Sequence, residues 1–217
     1  RKASREGVRL LITVDCGIRN SAEIAQAKKK GMETIVLDHH LPPETLPNCT
    51  VLDPKQPGDR YPFSDLCGTG VAFKLLQALA SEAAQYTKRF SSEELAKWLK
   101  WQMDLVGLAT IVDMVPLVGE NRVLAKFGLI ALQKSRRMGL QKLYEVAGID
   151  PATIDAYSAS FLIGPRLNAA GRMDHATQSF YLLTTTDPAR ASELASELNA
   201  LNQKRQAVLD KALREAR

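Results

Sequence analysis

The sequence predicts an α/β fold: a small parallel sheet with flanking helices, then a helical part and a long C-terminal helix. Three observations predict it. Val8–Val14 is a short, nearly all-apolar run rich in β-formers, and Glu33–Leu37 reads as a second buried strand. A helical stretch lies between them, so the pair forms a β-α-β unit with parallel strands and a right-handed crossover. From Gly68 onward, apolar residues recur at helical spacing almost to the last residue.

Each element has a local reason. Val8–Val14 is expected to be buried on both faces and ends at Asp15-Cys16-Gly17. Asn20 with Glu23 three positions on reads as a capping box for a helix over Ser21–Lys30, which Gly31 stops. Glu33–Leu37 runs into Asp38-His39-His40, and Pro42-Pro43 breaks the chain. Thr50–Leu52 reads as a short third strand, ended by Asp53-Pro54. Gly68-Thr69-Gly70 opens a helix to Tyr86, and Ser92 is expected to cap another that runs through Trp98, Trp101 and Leu105 toward Ile111. Helices are then expected over Asn121–Lys134, Gly139–Ala147, Pro151–Leu162 and Thr177–Leu183, and from Asp187 onward. A turn is expected over Gly164–Arg172.

Composition excludes several classes. Of 217 residues, 45% are hydrophobic and 24% charged, which suits a folded domain and not a disordered or fibrous chain. No apolar run approaches the roughly 20 residues of a membrane-spanning helix. A net charge of +5 permits a polyanionic partner without demanding one. Cys16, Cys49 and Cys67 are odd in number and include no CxxC pair, which argues against a disulfide framework or zinc ribbon and for a reducing cytosol. The chain begins without Met and ends in unbroken helix, so the expectation is a piece of a longer protein.

In a parallel sheet, function gathers at the carboxyl ends of strands. Asp15 ends the first strand and Asp38-His39-His40 the second, so carboxylates and two of the chain's three histidines converge on one edge. Mixed carboxylate and imidazole donors suit Mn²⁺, Fe²⁺ or Zn²⁺ better than an all-oxygen Mg²⁺ site. Asp113 stands in apolar surroundings, either as a helix-terminal Asp or as a further metal ligand. Gly164-Pro165-Arg166-Leu167-Asn168-Ala169-Ala170-Gly171-Arg172 reads either as a tight turn with solvated arginines or as a phosphate grip. Gly68-Thr69-Gly70 at a helix start is a weak anion-site signal. Lys134, Arg136, Arg137 and Lys142 form a basic cluster, ordinarily a solvated face.

Taken in order, Val14–Ile18, Asp38–His40, Gly68–Ala72, Val112–Leu117 and Gly164–Arg172 resemble the motifs of the DHH phosphoesterase superfamily. Within it, the last two motifs resemble the single-strand-specific 5′-to-3′ DNA exonucleases. The resemblance implies Asp15, His39 and Asp113 as metal ligands, Asp15 bridging two ions. It implies His40 facing the scissile phosphate and Asp38 orienting the site. Arg166, Asn168 and Arg172 are implied to hold DNA phosphates.

The implied reaction is Mn²⁺-dependent hydrolysis of phosphodiester bonds, with Mg²⁺ an alternative, in DNA repair and recombination. Implied partners are single-stranded DNA, a single-strand-binding protein and a repair helicase, for a cytoplasmic monomer with no membrane attachment. The implied organisation is a DHH domain over 1–186, lacking its first part, with 187–217 starting a connector to a second, DHHA1-type domain. An Asp-x-Asp motif expected ahead of Asp15 is absent from the sequence. The chain alone is therefore expected to bind metal poorly and to leave DNA intact. The rival readings are a phosphodiesterase for short oligonucleotides or cyclic dinucleotides, and an inactive scaffold.

Overall fold

The computed structural model describes residues 2–86, 89–173 and 176–215. It divides into two compact units, Arg1–Lys126 and Phe127–Arg217.

The first unit is built on three parallel strands, β1 (Leu10–Val14), β2 (Glu33–Leu37) and β3 (Thr50–Leu52), in the order β1-β2-β3. Leu10 pairs with Glu33 and Val14 with Leu37, and Leu37 pairs with Leu52. The sequence therefore places its three strands and their direction correctly. The helices are α1 (Lys2–Arg5), α2 (Ser21–Lys29), α3 (Gly68–Tyr86) and α4 (Ser92–Val112). The start of α5 (Gly119–Gln133) completes the unit. Leu37, Leu66, Val71, Phe73, Val106 and Leu124 form a buried cluster, with Ile35, Phe63, Leu75 and Met103 packed on it. Each such side chain contributes about 1.5–3 kcal/mol on leaving water, and together they clamp α3 and α4 to the sheet.

Two expectations here need correction. β1 is not buried on both faces: Leu10, Ile12 and Val14 are each nearly half exposed. The reason is topological, because β1 is an edge strand paired only with β2 among the described residues. The Asn20 capping box does not form. Asn20 makes no side-chain cap; its side-chain amide instead donates to Glu23 Oε2 at 3.4 Å. A complete box does form one residue earlier than expected on α4, where Ser91 and Glu94 bond reciprocally.

The second unit is helical: the rest of α5, then α6 (Met138–Ala147), α7 (Gly164–Met173), α8 (Thr177–Thr184) and α9 (Pro188–Glu215). Pro151–Leu162 is not one helix. A 3₁₀ turn over Pro151–Thr153 is followed by a π-helical segment over Ser158–Ile163, which runs directly into α7. The expected turn over Gly164–Arg172 is therefore helix. Pro165 lies inside this unbroken helical run, two residues after the π-helical segment, where it has no backbone N–H to give. Ala191, Leu194, Ala195, Leu198 and Asn202 of α9 are buried against α6, α7 and α8. Beyond Arg205 the helix is exposed, Val208, Leu209 and Leu213 included. No described helix is long and apolar enough to cross a membrane.

Candidate metal centre

The strand ends carry the site, as parallel pairing dictates. The N–H of Asp15 donates to Leu37 O at 2.8 Å, one step past β1, and that of Asp38 donates to Leu52 O at 3.1 Å. The ladder thus registers Asp15 beside Asp38 before any side chain is considered. Asp15 adopts a left-handed backbone, φ 64°, which aspartate tolerates better than most residues.

His39 is the centre of the cluster. Its side chain is only 10% exposed, and its Nε2 lies 3.1 Å from Asp15 Oδ1 and 3.5 Å from Asp113 Oδ2. Neither approach has hydrogen-bond geometry, so both ring nitrogens are buried without a bonded partner. An imidazole nitrogen and two carboxylates that converge without bonding one another are arranged as ligands are. Ligand atoms of Asp15, His39 and His40 all lie within 4.8 Å of one another. Asp113 arrives from another direction, as the C-cap of α4, where Met114 at φ 59° turns the chain away. Burial pushes the Asp113 carboxyl above its ordinary range; His39 opposes that shift and the charge of Asp15 adds to it. A cation between these groups relieves that cost, so the donor set fits a divalent ion with oxygen and nitrogen ligands.

Asp38 is a different kind of residue. It is 1% exposed and is no part of the ligand cluster. Its Oδ2 accepts from the Ile18 N–H at 2.9 Å. Its Oδ1 accepts from the N–H groups of His39 and His40 at 2.9 and 3.3 Å and lies 2.7 Å from His40 Nδ1. Burial works against its charge, but these bonds outweigh it and hold the carboxyl below its usual range. The bond to Asp38 in turn raises His40, against some desolvation, and the charges of Asp38, Asp15 and Asp113 add to the rise. Asp38 thus ties both histidines to the turn after β1.

At Gly68-Thr69-Gly70 the first glycine has a packing role at the site. A Cβ on Gly68 would lie 2.4 Å from Asp15 Oδ1 and 2.8 Å from Asp15 Cα. Gly68 lets the first turn of α3 lie against Asp15. Sequence reading missed this role because the two residues are 53 positions apart.

In the second unit, Arg166 is partly buried. Its Nε donates to Asn199 Oδ1 at 2.9 Å and its Nη1 to Leu162 O at 2.7 Å. Burial lowers its pKa. Asn168 is exposed on α7. Arg172 belongs to α7, but its side chain lies outside what the structure describes. In the basic cluster, Lys142 pairs with Glu145 at 2.8 Å.

The family described as "DHH family, N-terminal domain" matches residues 3–101. The single-stranded-DNA-specific exonuclease RecJ of Bacillus subtilis is 40% identical over all of this chain, which spans 26% of that protein. RecJ of Escherichia coli is 38% identical over 95% of the chain, equal to 36% of that protein. The crystal structure of Thermus thermophilus RecJ in complex with Mn²⁺ matches 99% of the chain at a TM-score of 0.82 and 36% identity, over 31% of that structure. The chain thus spans about a quarter to a third of the relatives it matches. With the strand-end histidines and carboxylates in place, residues 3–101 match the N-terminal domain of the DHH family, and the chain is similar from end to end to the RecJ proteins.

Proposed function

We propose that this chain forms one lobe of a divalent-metal phosphodiesterase acting on single-stranded DNA from the 5′ end. The observation that carries the reading is the buried His39 Nε2, held between the carboxylates of Asp15 and Asp113. Asp15, His39 and Asp113 would hold Mn²⁺, with Mg²⁺ as the alternative. A bound ion supplies Lewis-acid activation of water and charge against the phosphate oxygens. The remaining work falls to the protein. Asp38 fixes the His40 ring by its Nδ1 and keeps it protonated further up the pH scale. That leaves Nε2, on a half-exposed ring, to donate to a phosphoryl oxygen as charge builds there. Water and DNA reach the centre because Asp15 and Asp113 remain 56% and 40% exposed.

Asn168 and Arg172 are assigned to DNA phosphates. Arg166 joins them only through the guanidinium nitrogen not spent on Asn199 and Leu162. We read residues 1–186 as the catalytic domain and the exposed distal part of α9 as a connector to a further domain. Repair and recombination, a cytoplasmic monomer, and a single-strand-binding protein and helicase as partners complete the reading.

The described residues offer one ligand cluster, whereas a two-ion site needs more carboxylates than it holds. We therefore assign hydrolysis to the longer protein and weak metal binding to these 217 residues. The test incubates the longest natural chain containing this segment with 5′-phosphorylated single-stranded DNA and Mn²⁺. Mononucleotide release from the 5′ end, lost in Asp15→Ala, supports the reading. Cleavage of dinucleotides but not of long strands would replace it with a small-nucleotide phosphodiesterase. Metal-free, inactive protein would replace it with a scaffold.

A further inference from the structure

The two carboxylates of the centre come from separate segments. Asp15 is backed by Gly68, at the end of the loop that precedes α3, and Asp113 opens the turn that leads to α5. These two segments are joined at three consecutive residues, the first three of α5. A Cβ on Gly119 would lie 2.8 Å from the ring of Phe63, and its backbone is left-handed at φ 49°. The carboxylate of Glu120 accepts from Tyr61 Oη at 2.7 Å and pairs with Lys74 of α3. Asn121 is fully buried, and its amide donates to two carbonyls, Asp65 O at 2.6 Å and Pro116 O at 3.0 Å. Asp65 lies three residues before Gly68 and Pro116 three residues after Asp113.

Asn121 is an expensive choice for a residue whose only task is stability. Its Oδ1 is buried without a donor, a loss that an apolar side chain would avoid. What the amide provides is two donors fixed about one planar group, spanning two loops. Pro116 adds rigidity on one side, since its φ is locked.

Resting on the metal-centre reading above, we infer that Asn121 is a positioning residue: its amide sets the spacing between the Asp113 turn and the Asp65–Gly68 segment that backs Asp15. It touches neither metal nor substrate. It acts through the loops, so its loss should spread the ligand pair while the core cluster around Leu37 and Leu124 stays packed.

The experiment titrates Mn²⁺ into the longest natural chain containing this segment, read by calorimetry and by the Mn²⁺ paramagnetic resonance spectrum. Wild type, His39→Ala, Asn121→Ala and Asn121→Ser are compared. Tyr144→Phe, which removes a buried hydrogen bond to Leu132 O elsewhere, serves as a stability control. The expected result is a Kd at least 10-fold weaker in Asn121→Ala, with an altered spectrum, in protein that still melts cooperatively. Asn121→Ser, keeping one donor, should fall between it and wild type, and Tyr144→Phe should match wild type. Wild-type affinity in folded Asn121→Ala overturns the inference. So does failure of both Asn121 variants to fold, which would make Asn121 a folding residue. Binding that is indifferent to His39→Ala overturns the metal-centre reading itself and is distinguishable from both.

Discussion

Replacing Gly68 by alanine should disable the metal centre while leaving the fold standing. The added Cβ would sit 2.4 Å from Asp15 Oδ1, 2.7 Å from its Cβ and 2.8 Å from its Cα. Carbon atoms rest at about 3.5–4.0 Å, so α3 or Asp15 must retreat by about 0.7 Å or more. The Asp15 carboxylate could swing aside, but its Cβ and Cα, in a residue already at φ 64°, could not. A metal site tolerates displacements of about 0.2 Å, so the forced movement is several times what it can absorb. Overpacking of this kind costs about 1–3 kcal/mol, and the gain of alanine over glycine in a helix returns up to about 1 kcal/mol. The net is about 1–2 kcal/mol, or roughly 2–8 °C in melting temperature for a chain of this size. Metal affinity should fall by about 10–100-fold, the usual penalty for disturbing the support of a ligand.

Gly70→Ala is the matched control, two residues along the same helix turn. Its Cβ would meet Leu66 at 3.4 and 3.5 Å and Cys67 Sγ at 3.7 Å, which are near-ordinary contacts. The assay is Mn²⁺ titration of both variants beside thermal melts. Gly68→Ala holding Mn²⁺ within about threefold of wild type would refute the argument, as would equal weakening in Gly70→Ala; the threefold line marks about 0.7 kcal/mol.

Other perturbations test other parts of the molecule. Mn²⁺ at 100 times its Kd should raise the folding free energy by about 2.7 kcal/mol; a chelator should reverse the rise in melting temperature, and His39→Ala should abolish it. Gly139→Ala should destabilise strongly, by about 3 kcal/mol or more, because its Cβ would lie 1.8 Å from Leu182 O; urea melts measure it. Arg166→Ala and Asn199→Ala should each cost about 1–2 kcal/mol, with a double mutant less destabilised than their sum. Additive losses in that cycle would show the pair to be independent. Asp155 is held below its ordinary pKa by the Ser158 N–H and hydroxyl. A depressed carboxylate stabilises fully above its unfolded value and loses that contribution as pH falls through the folded value. The melting difference between wild type and Asp155→Asn should therefore be present at neutral pH and vanish in acid.

The sheet and the site were legible because both follow from short-range pattern. Two β-rich runs separated by one helix leave little choice but parallel strands, and parallel strands bring Asp15 and Asp38 to one edge. What stayed hidden was the burial of β1. A run such as Leu10–Val14 looks the same whether the strand is central or at an edge, since composition reports what a face can bury and not what covers it. The expected capping box failed in the same way: Asn20 and Glu23 have the right spacing, yet Asn20 at φ −99°, ψ 44° lacks the extended backbone that Ser91 has.

The Gly164–Arg172 segment separates residue type from residue role. Glycine, proline and two arginines in nine residues suggest a loop that grips an anion. The chain instead carries the proline inside an unbroken helical run, just after the π-helical segment. It lays Ala169 and Ala170 into the interior and directs Arg166 onto Asn199, 33 residues away, and onto the carbonyl of Leu162 in the π-helical segment. A π-helical turn leaves carbonyls offset from their regular partners, and a guanidinium with five donors is well suited to meet one. The same arginine thus supports the helix junction and keeps one guanidinium nitrogen outside these two bonds. A residue with both tasks predicts coupled losses: weakening of DNA binding in Arg166 variants should come with a fall in melting temperature, whereas Asn168 variants, exposed and unbonded to that junction, should lose binding alone.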